Sequence, residues 1–127
     1  MELPVVIVAD DLIWSTRLAG LVTAAGRQPI VVASVPALAA ALPGASAVIV
    51  DLTARSYDGI AAVEAAARGS RRVLAVGQHD DLELRRRALA AGAERVYAYR
   101  LLFERGAATL VAWLERGAPA PRAGEPR

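Results

Sequence analysis

The feature that most constrains this chain is a regular alternation of short apolar runs with helical patterns. Five runs rich in Val, Ile and Ala have the length and composition of buried β-strands, and each is followed by apolar residues at helical spacing. Strands without a polar face must be covered on both sides, which favours a parallel sheet between two layers of helices. The predicted strands lie at Pro4–Ala9, Ile30–Ala33, Ala47–Val50, Val73–Val76 and Arg95–Ala98.

The order of these elements restricts the topology. Right-handed crossovers and connections of this length leave few arrangements. We predict the flavodoxin-like, doubly wound (βα)₅ fold, an α/β class with a five-stranded parallel sheet in the order 2-1-3-4-5, in which strands 1 and 3 are neighbours. The fifth helix is predicted to bury a stripe that runs from Phe103 to Leu114.

Length and composition restrict the class of protein further. A chain of 127 residues suits one domain, which we place at 1–116, while 117–127 (GAPAPRAGEPR) has the composition of a disordered tail or a linker remnant. Cysteine is absent, which excludes disulfides and thiolate metal sites. A net charge of only +2 gives no reason to expect nucleic acid as a direct partner. No secretory signal is visible at the N-terminus, and we expect a cytoplasmic location.

An uncharged stretch between Gln28 and Asp51 has the length of a membrane span. Pro29, Pro36 and Pro43 interrupt it at intervals typical of turns. We therefore expect two buried strands around a short helix, and no membrane segment.

Carboxylates follow two of the predicted strands. Asp10 and Asp11 come directly after the first strand, in VVIVADD, and Asp51 follows the third, in AVIVD. Ligands of open α/β sheets bind beyond the carboxyl ends of the strands where the strand order reverses, which is between strands 1 and 3. We expect the three acids to share one hollow, where Mg²⁺ would offset their repulsion and Asp51 could attack a phosphoryl group. The alternative is that Asp11 caps the first helix and Asp58 the third.

In these motifs the sequence resembles the receiver domain of two-component response regulators, over residues 4 to 116. VVIVADD is similar to the first strand with its acidic pair, and VIVDLTARSYDG to the phosphoacceptor strand and its loop. VLAVGQHDDLELRRRALAAGAERVYAY is similar to the segment from the fourth strand through the fifth. The resemblance implies that Asp51 is the phosphoacceptor, that Asp10 and Asp11 bind a metal with it, and that the carbonyl of Thr53 is a further metal ligand.

The sequence departs from this family where the family contacts the phosphoryl group. Gly77 stands in place of a Ser or Thr at the end of strand 4, and Tyr99 and Arg100 stand where the family has a lysine and a proline at the end of strand 5. The aromatic residue that couples phosphorylation to surface change is matched by Val96, with Tyr97 beside it. Arg100 could still offer a permanent charge to an anion. These departures are typical of an atypical or pseudo-receiver variant.

Two surfaces suit a partner. Helix 4 carries a basic cluster that includes Arg86 and Arg87, close to Tyr97, which fits either an acidic partner or a solvated helix face. On the fifth helix, Trp113 has small neighbours, which suits a dimer or partner interface unless Trp113 only covers the edge of the core. His79, the only histidine, is expected in a solvated loop.

Three functions remain open, none of them enzymatic. The first is an atypical receiver-like signalling module that binds a protein, such as a histidine kinase, an output protein or a second copy of itself. The second is a working receiver that is phosphorylated on Asp51 with Mg²⁺. The third is a flavodoxin-like binder of a nucleotide or cofactor, although no glycine-rich phosphate loop follows the first strand.

Overall fold

The sheet predicted from the apolar runs is present, with its strands in the predicted order. The structure, a computed structural model, describes residues 3–69 and 71–116, so the predicted tail at 117–127 lies outside the described residues. All strand pairs are parallel and the order is β2-β1-β3-β4-β5. The strands are β1 (Val5–Val8), β2 (Pro29–Val32), β3 (Ala47–Asp51), β4 (Arg72–Gly77) and β5 (Arg95–Ala98).

Helices cover both faces of the sheet. In the described residues they are α1 (Leu12–Ala24), α2 (Val35–Ala41), α3 (Gly59–Arg68), α4 (Leu82–Ala91), α5 (Tyr99–Arg105) and α6 (Ala107–Glu115). One core packs α2, α3 and α4 against the sheet, and the other packs α1, α5 and α6 against its opposite face. Burial on both faces explains why the central strand β1, and β3 as far as Val50, contain only apolar residues. None of the helices in the described ranges is long and apolar enough to span a bilayer.

Short polar side chains start four of the described helices, α1 to α4. The hydroxyl of Ser34 accepts a hydrogen bond from the amide of Ala37 at the start of α2, and a carboxylate oxygen of Asp58 accepts from the amide of Ile60 at the start of α3. Asp81 does the same for α4. Each cap satisfies an amide that has no partner within its own helix. The predicted capping role of Asp58 is therefore confirmed.

The predicted fifth helix is wrong in one respect: the chain forms two helices there. Gly106, with φ 62° and ψ −152°, ends α5, and α6 begins at the next residue. Trp113, predicted either at a partner interface or covering the edge of the core, is 0% exposed and packs in the core, which bears out the second of these. The Arg72 guanidinium lies 4.6 Å from the centre of its ring. Trp113 therefore closes the core and is not part of a partner surface.

Candidate functional site

The ends of β1 and β3 form the floor of an acidic hollow. These strands pair in register, with Val8 opposite Val50, so the residues that follow them emerge side by side. The hollow has a volume of about 540 Å³ and is lined by Asp10, Asp11, Trp14, Asp51, Thr53 and Arg55. The predicted convergence of the three acids on one hollow is thus present in the structure.

Asp51 is a fully buried carboxylate that is only half satisfied. It ends β3 and is 0% exposed. The turn that follows folds Thr53 back onto it, so Oδ1 accepts hydrogen bonds from the Thr53 amide at 2.8 Å and the Thr53 hydroxyl at 2.7 Å. The other oxygen, Oδ2, has no hydrogen-bond partner among the described residues. One oxygen is held in place by Thr53, and the other is buried with no aligned partner, although the Tyr99 hydroxyl interacts with this carboxylate.

Asp10 and Asp11 each hold backbone groups close to the hollow. Oδ2 of Asp10 accepts from the amides of Arg55 and Ser56, at 2.9 and 2.7 Å, and ties the loop after β3 to the end of β1. These hydrogen bonds, above all the one from the Ser56 amide, lower the pKa of Asp10. Asp11 accepts from the amide of Trp14 at 3.0 Å and caps α1, as the alternative interpretation expected.

The hollow fits Mg²⁺ only in part. In residues 3–69 and 71–116, no three His, Cys, Asp or Glu side chains are grouped so that they could hold a metal ion. The expected three-acid arrangement is therefore not preformed, because Asp10 and Asp11 each direct an oxygen toward backbone amides. Mg²⁺ usually takes one or two carboxylates and keeps several waters. The unpartnered oxygen of Asp51 suits it as an anchor, whereas the other two acids would have to reorient.

Tyr57 is a part of the site that the sequence did not reveal. Its hydroxyl lies 2.7 Å from the carbonyl oxygen of Val8 and 2.8 Å from that of Asp51, so it bridges the ends of β1 and β3. Burial, followed by the nearby charge of Asp51, raises the pKa of Tyr57 and keeps the hydroxyl protonated. A single aromatic residue in a polar loop gives no periodic signal that would place it here.

Two of the replaced positions, Gly77 and Val96, supply no polar side chain. Gly77 ends β4, is buried, and pairs with Ala98 on β5. A Cβ atom added there would meet the Leu52 side chain at 3.5 Å, an ordinary contact, so the position has room for a Cβ. Val96 is 7% exposed and belongs to the core against α4.

Tyr99 and Arg100 point in different directions. Both were expected at the end of strand 5, but β5 ends at Ala98 and they begin α5. Tyr99 is 5% exposed and stacks on Trp14, with ring centres 4.0 Å apart. Burial, followed by interaction with Asp51, raises the pKa of Tyr99, yet its hydroxyl has no aligned hydrogen-bond partner in the described chain. Arg100, which could have offered its charge to an anion, instead donates to Glu104 one helical turn away, at 2.8 Å.

The predicted partner surface is accessible on α4. Arg86 and Arg87 are exposed, and Arg86 pairs with Glu83 on the same helix. Tyr97 is half-buried and lines a shallow hollow of about 510 Å³ beside Arg105. His79 is exposed in the loop between β4 and α4, as expected.

Comparison with known proteins finds solved structures with the same fold, at low sequence identity. No protein-family model matches the sequence, and no curated protein matches it. The solved receiver domain of NtrX from Brucella abortus has 20% identity and a TM-score of 0.76, with 92% of this chain and 99% of that chain covered. A structure of the longer NtrX chain is matched over only part of its length, since this chain covers 27% of it.

A second neighbour is the receiver domain of the sensor histidine kinase PA1611 from Pseudomonas aeruginosa PAO1, solved with a magnesium ion coordinated in its active site cleft. It has 19% identity and a TM-score of 0.76, with 92% of this chain and 98% of that chain covered. At these identities, the likeness establishes the architecture of the chain. The protein has the α/β fold of response-regulator receiver domains.

Proposed function

We propose that this chain is an atypical receiver-like signalling module that acts by binding a protein partner, and that its phosphorylation switch is lost. The observation that carries the proposal is the set of side chains around Asp51. Gly77 offers no hydroxyl, Tyr99 brings a neutral hydroxyl and no cation to Asp51, and Arg100 is paired with Glu104. A phosphoryl group on Asp51 would find neither the hydroxyl nor the cation that the family provides.

The energies involved support the loss of coupling. A hydrogen bond to a charged group contributes about 1.5–3 kcal/mol. Allosteric coupling between two sites is typically about 1–3 kcal/mol. Because two such contacts are missing, too little free energy remains to link the state of Asp51 to a change at α4 and β5.

The partner we propose is a protein, such as a histidine kinase, an output protein or a second copy of this chain. Its docking face would include Arg86 and Arg87 on α4 and the half-buried Tyr97 on β5. The arginines are exposed, so this face suits an acidic partner. A module of this kind needs no catalytic activity of its own.

A working phosphoacceptor is the second candidate, and one observation favours it. Oδ2 of Asp51 is buried without a partner, which suits a nucleophile or a ligand of Mg²⁺. In that case Asp10, Asp11, Asp51 and the carbonyl of Thr53 would hold the metal. Bound Mg²⁺ would neutralise charge on the transferring oxygens. Thr53 would orient the carboxylate through Oδ1, as it does already.

Phosphorylation chemistry separates the two candidates. The full chain is incubated with Mg²⁺ and acetyl phosphate, and its intact mass is measured; amide NMR spectra are recorded with Mg²⁺ and beryllofluoride. We expect any shifts to stay near Asp51 and Thr53, and Asp51→Asn to abolish both phosphorylation and those shifts. Shifts that extend to α4 and β5 in the unmodified chain would contradict the proposed loss of the switch.

A restored variant tests the reason for the loss. Gly77→Thr combined with Tyr99→Lys supplies the hydroxyl and the cation, and Gly77 has room for a Cβ. We expect this double variant to bind beryllofluoride with Mg²⁺ more tightly, and its shifts to reach α4. The matched control, Gly77→Ala with Tyr99→Phe, changes shape without adding those groups and should gain nothing. An equal gain in both variants would show that the missing contacts are not the cause.

A further inference from the structure

The edge of the sheet at β2 is exposed and carries no charge. β2 stands at one end of the strand order, so β1 is the only strand of the described chain that pairs with it. Ile30 and Val31 are 36% and 46% exposed although both are apolar, and Ala33, just after the strand, is exposed as well. The sequence contains no charged residue from Gln28 to Val50. An apolar edge of this kind is a template for a further strand.

The opposite edge of the sheet is protected by charge. β5 carries the exposed Arg95, and the guanidinium of Arg85 donates to the Val96 carbonyl at 2.8 Å. Charged side chains on an edge strand disfavour its pairing with another chain. β2 has only Pro29 for this purpose, at the first position of the strand, where the missing N–H affects one end alone. The fold therefore leaves β2 more open to a further strand than β5.

The pairing of β2 with β1 determines which backbone groups of β2 face outward. Amides of the β1 segment donate to the carbonyls of Gln28 and Val32, at 2.9 and 3.0 Å, so these two residues bond toward β1. Because the backbone groups of successive residues in a strand alternate in direction, those of Pro29, Val31 and Ala33 point away from β1. The free edge thus offers the amide and carbonyl of Val31, the carbonyl of Pro29, and the amide and carbonyl of Ala33.

This set of groups is complementary to itself. In an antiparallel pairing centred on Val31, the two copies of Val31 exchange both hydrogen bonds, and each Pro29 carbonyl accepts from the Ala33 amide of the other copy. The one outward group left over is the Ala33 carbonyl, because proline has no amide to offer it. That carbonyl already accepts a long hydrogen bond from the Ser56 hydroxyl of its own chain, at 3.5 Å. The symmetric register therefore satisfies the free edge of β2.

The absence of charge favours the same partner. An acidic or basic segment would gain no ion pair along β2 and would lose the hydration of its own charges. The helix that follows β2, α2, is also uncharged (VPALAAA). A second copy of the chain presents the same neutral strand, so no like charges oppose each other along the pair.

We propose that two copies of this chain associate through β2, antiparallel and about a two-fold axis at Val31, so that the sheet continues from one copy into the other. In this register Ile30 lies opposite Val32 of the second copy, and β-branched side chains suit paired strands. The strand is short and the buried surface small, so the association is weak, with a Kd of roughly 0.1 mM. Tyr97 and the basic face of α4 lie toward the other edge of the sheet, so this inference does not depend on the proposed signalling role.

Sedimentation equilibrium of the full chain, from about 10 µM to about 1 mM, brackets this Kd and measures the association. We expect the average mass to rise from that of one chain toward that of two. Hydrogen exchange followed by NMR should show the Val31 amide becoming protected as the dimer forms, because the amide then donates to the second copy. A chain that is still monomeric at the highest concentration overturns the proposal, as does a dimer in which the Val31 amide stays unprotected.

Val31→Lys and Val31→Glu test the surface and its symmetry together. The two-fold axis places residue 31 opposite itself, so each variant alone opposes like charges and should lose at least about tenfold in affinity. In an equal mixture opposite charges face each other, and the two variants should associate at least about tenfold more tightly than either does alone. Variants that fail to associate when mixed would refute the symmetric register.

The matched control is Leu82→Lys, which adds the same charge at another exposed apolar residue, on α4. We expect its dimer to be as stable as that of the original chain. Amide dispersion in each variant reports whether it is folded. A dimer that survives Val31→Lys in the folded chain, or one that is lost in folded Leu82→Lys, would place the interface elsewhere and refute the proposal.

Discussion

Asp51 is a charged residue in a place where the fold supplies half of the hydrogen bonds that it needs. Thr53 satisfies Oδ1 twice, while Oδ2 is buried without a partner among the described residues. Burial of a charge costs free energy unless it is paired. The protein therefore keeps Asp51 at a cost to stability, and residues retained in this way are usually functional.

Asp51→Asn should stabilise the protein in metal-free buffer. The asparagine keeps the acceptor for Thr53 and removes the buried charge, so we expect the free energy of unfolding to rise by about 1–3 kcal/mol. Urea denaturation measures this free energy of unfolding. The control, Asp58→Asn, exchanges one good helix cap for another and should stay within about 0.5 kcal/mol of the original. A destabilised Asp51→Asn would mean that Oδ2 is already satisfied in solution.

Asp10 should make stability depend on pH in the acid range. Its pKa lies below the ordinary value of 3.8 because it accepts hydrogen bonds from the loop, that of Ser56 first. The stabilisation is therefore complete above the unfolded pKa and is lost as the pH falls through the lower, folded pKa. Asp10→Ala should lower the urea midpoint at pH 7 and differ less from the original near pH 3. If the difference in urea midpoint between Asp10→Ala and the original protein is as large near pH 3 as at pH 7, the effect belongs to another group.

At this scale the sequence predicted where the acids lie but not what they bind. Asp10, Asp11 and Asp51 could be placed because parallel strands bring their carboxyl ends to one edge. The orientation of each carboxylate depends on amides in the loop at 55–56 and in α1, and no spacing rule reports that geometry. Tyr57 and the contact of Tyr99 with Trp14 are likewise long-range packing, visible only in three dimensions.

Among the elements, the break at Gly106 has the largest effect on the surface. Strand and helix positions followed from periodicity, and β5 matches its predicted bounds. An isolated glycine in a helical pattern is usually tolerated, so the sequence did not distinguish one helix from two. The backbone of Gly106, with φ 62° and ψ −152°, ends α5, and α6, which buries Leu110 and Trp113, begins at the next residue. The conformation of one residue thus decides where the last helix begins.

Gly106→Ala should destabilise the protein. Its backbone conformation is available essentially only to glycine, and the strain amounts to about 1–3 kcal/mol. The matched control is Gly20→Ala in α1, where an added Cβ meets no atom within 4 Å. In a helix interior, alanine is more stable than glycine by about 1 kcal/mol, so the free energy of unfolding of Gly20→Ala should rise. Thermal unfolding of both compares them directly, and a neutral or stabilising Gly106→Ala would argue for one continuous helix in solution.

Over the whole molecule, the two cores are coupled because they share their strands. Alternate residues of β1 face opposite sides: Val5 and Ile7 belong to the core with α1 and α6, while Val6 and Val8 belong to the core with α2 and α3. The same alternation holds in β3, where Ile49 and Val50 face opposite cores. Loss of either helix layer would expose one face of a sheet built from apolar residues on both sides. Neither layer has a stable partner without the other.

The two layers should therefore unfold together. In a urea titration followed by amide NMR, Val22 in α1 and Ala66 in α3, one from each core, should lose their native signals at the same midpoint. The free energy of unfolding should fall with urea concentration by about 1–3 kcal/mol/M, as it does for small single domains. Trp113 fluorescence, isolated by Trp14→Phe, should follow the same curve because Trp113 is buried in the α1 and α6 core. Separate midpoints for Val22 and Ala66 would show that one helix layer can leave the sheet alone, contrary to what the shared strands imply.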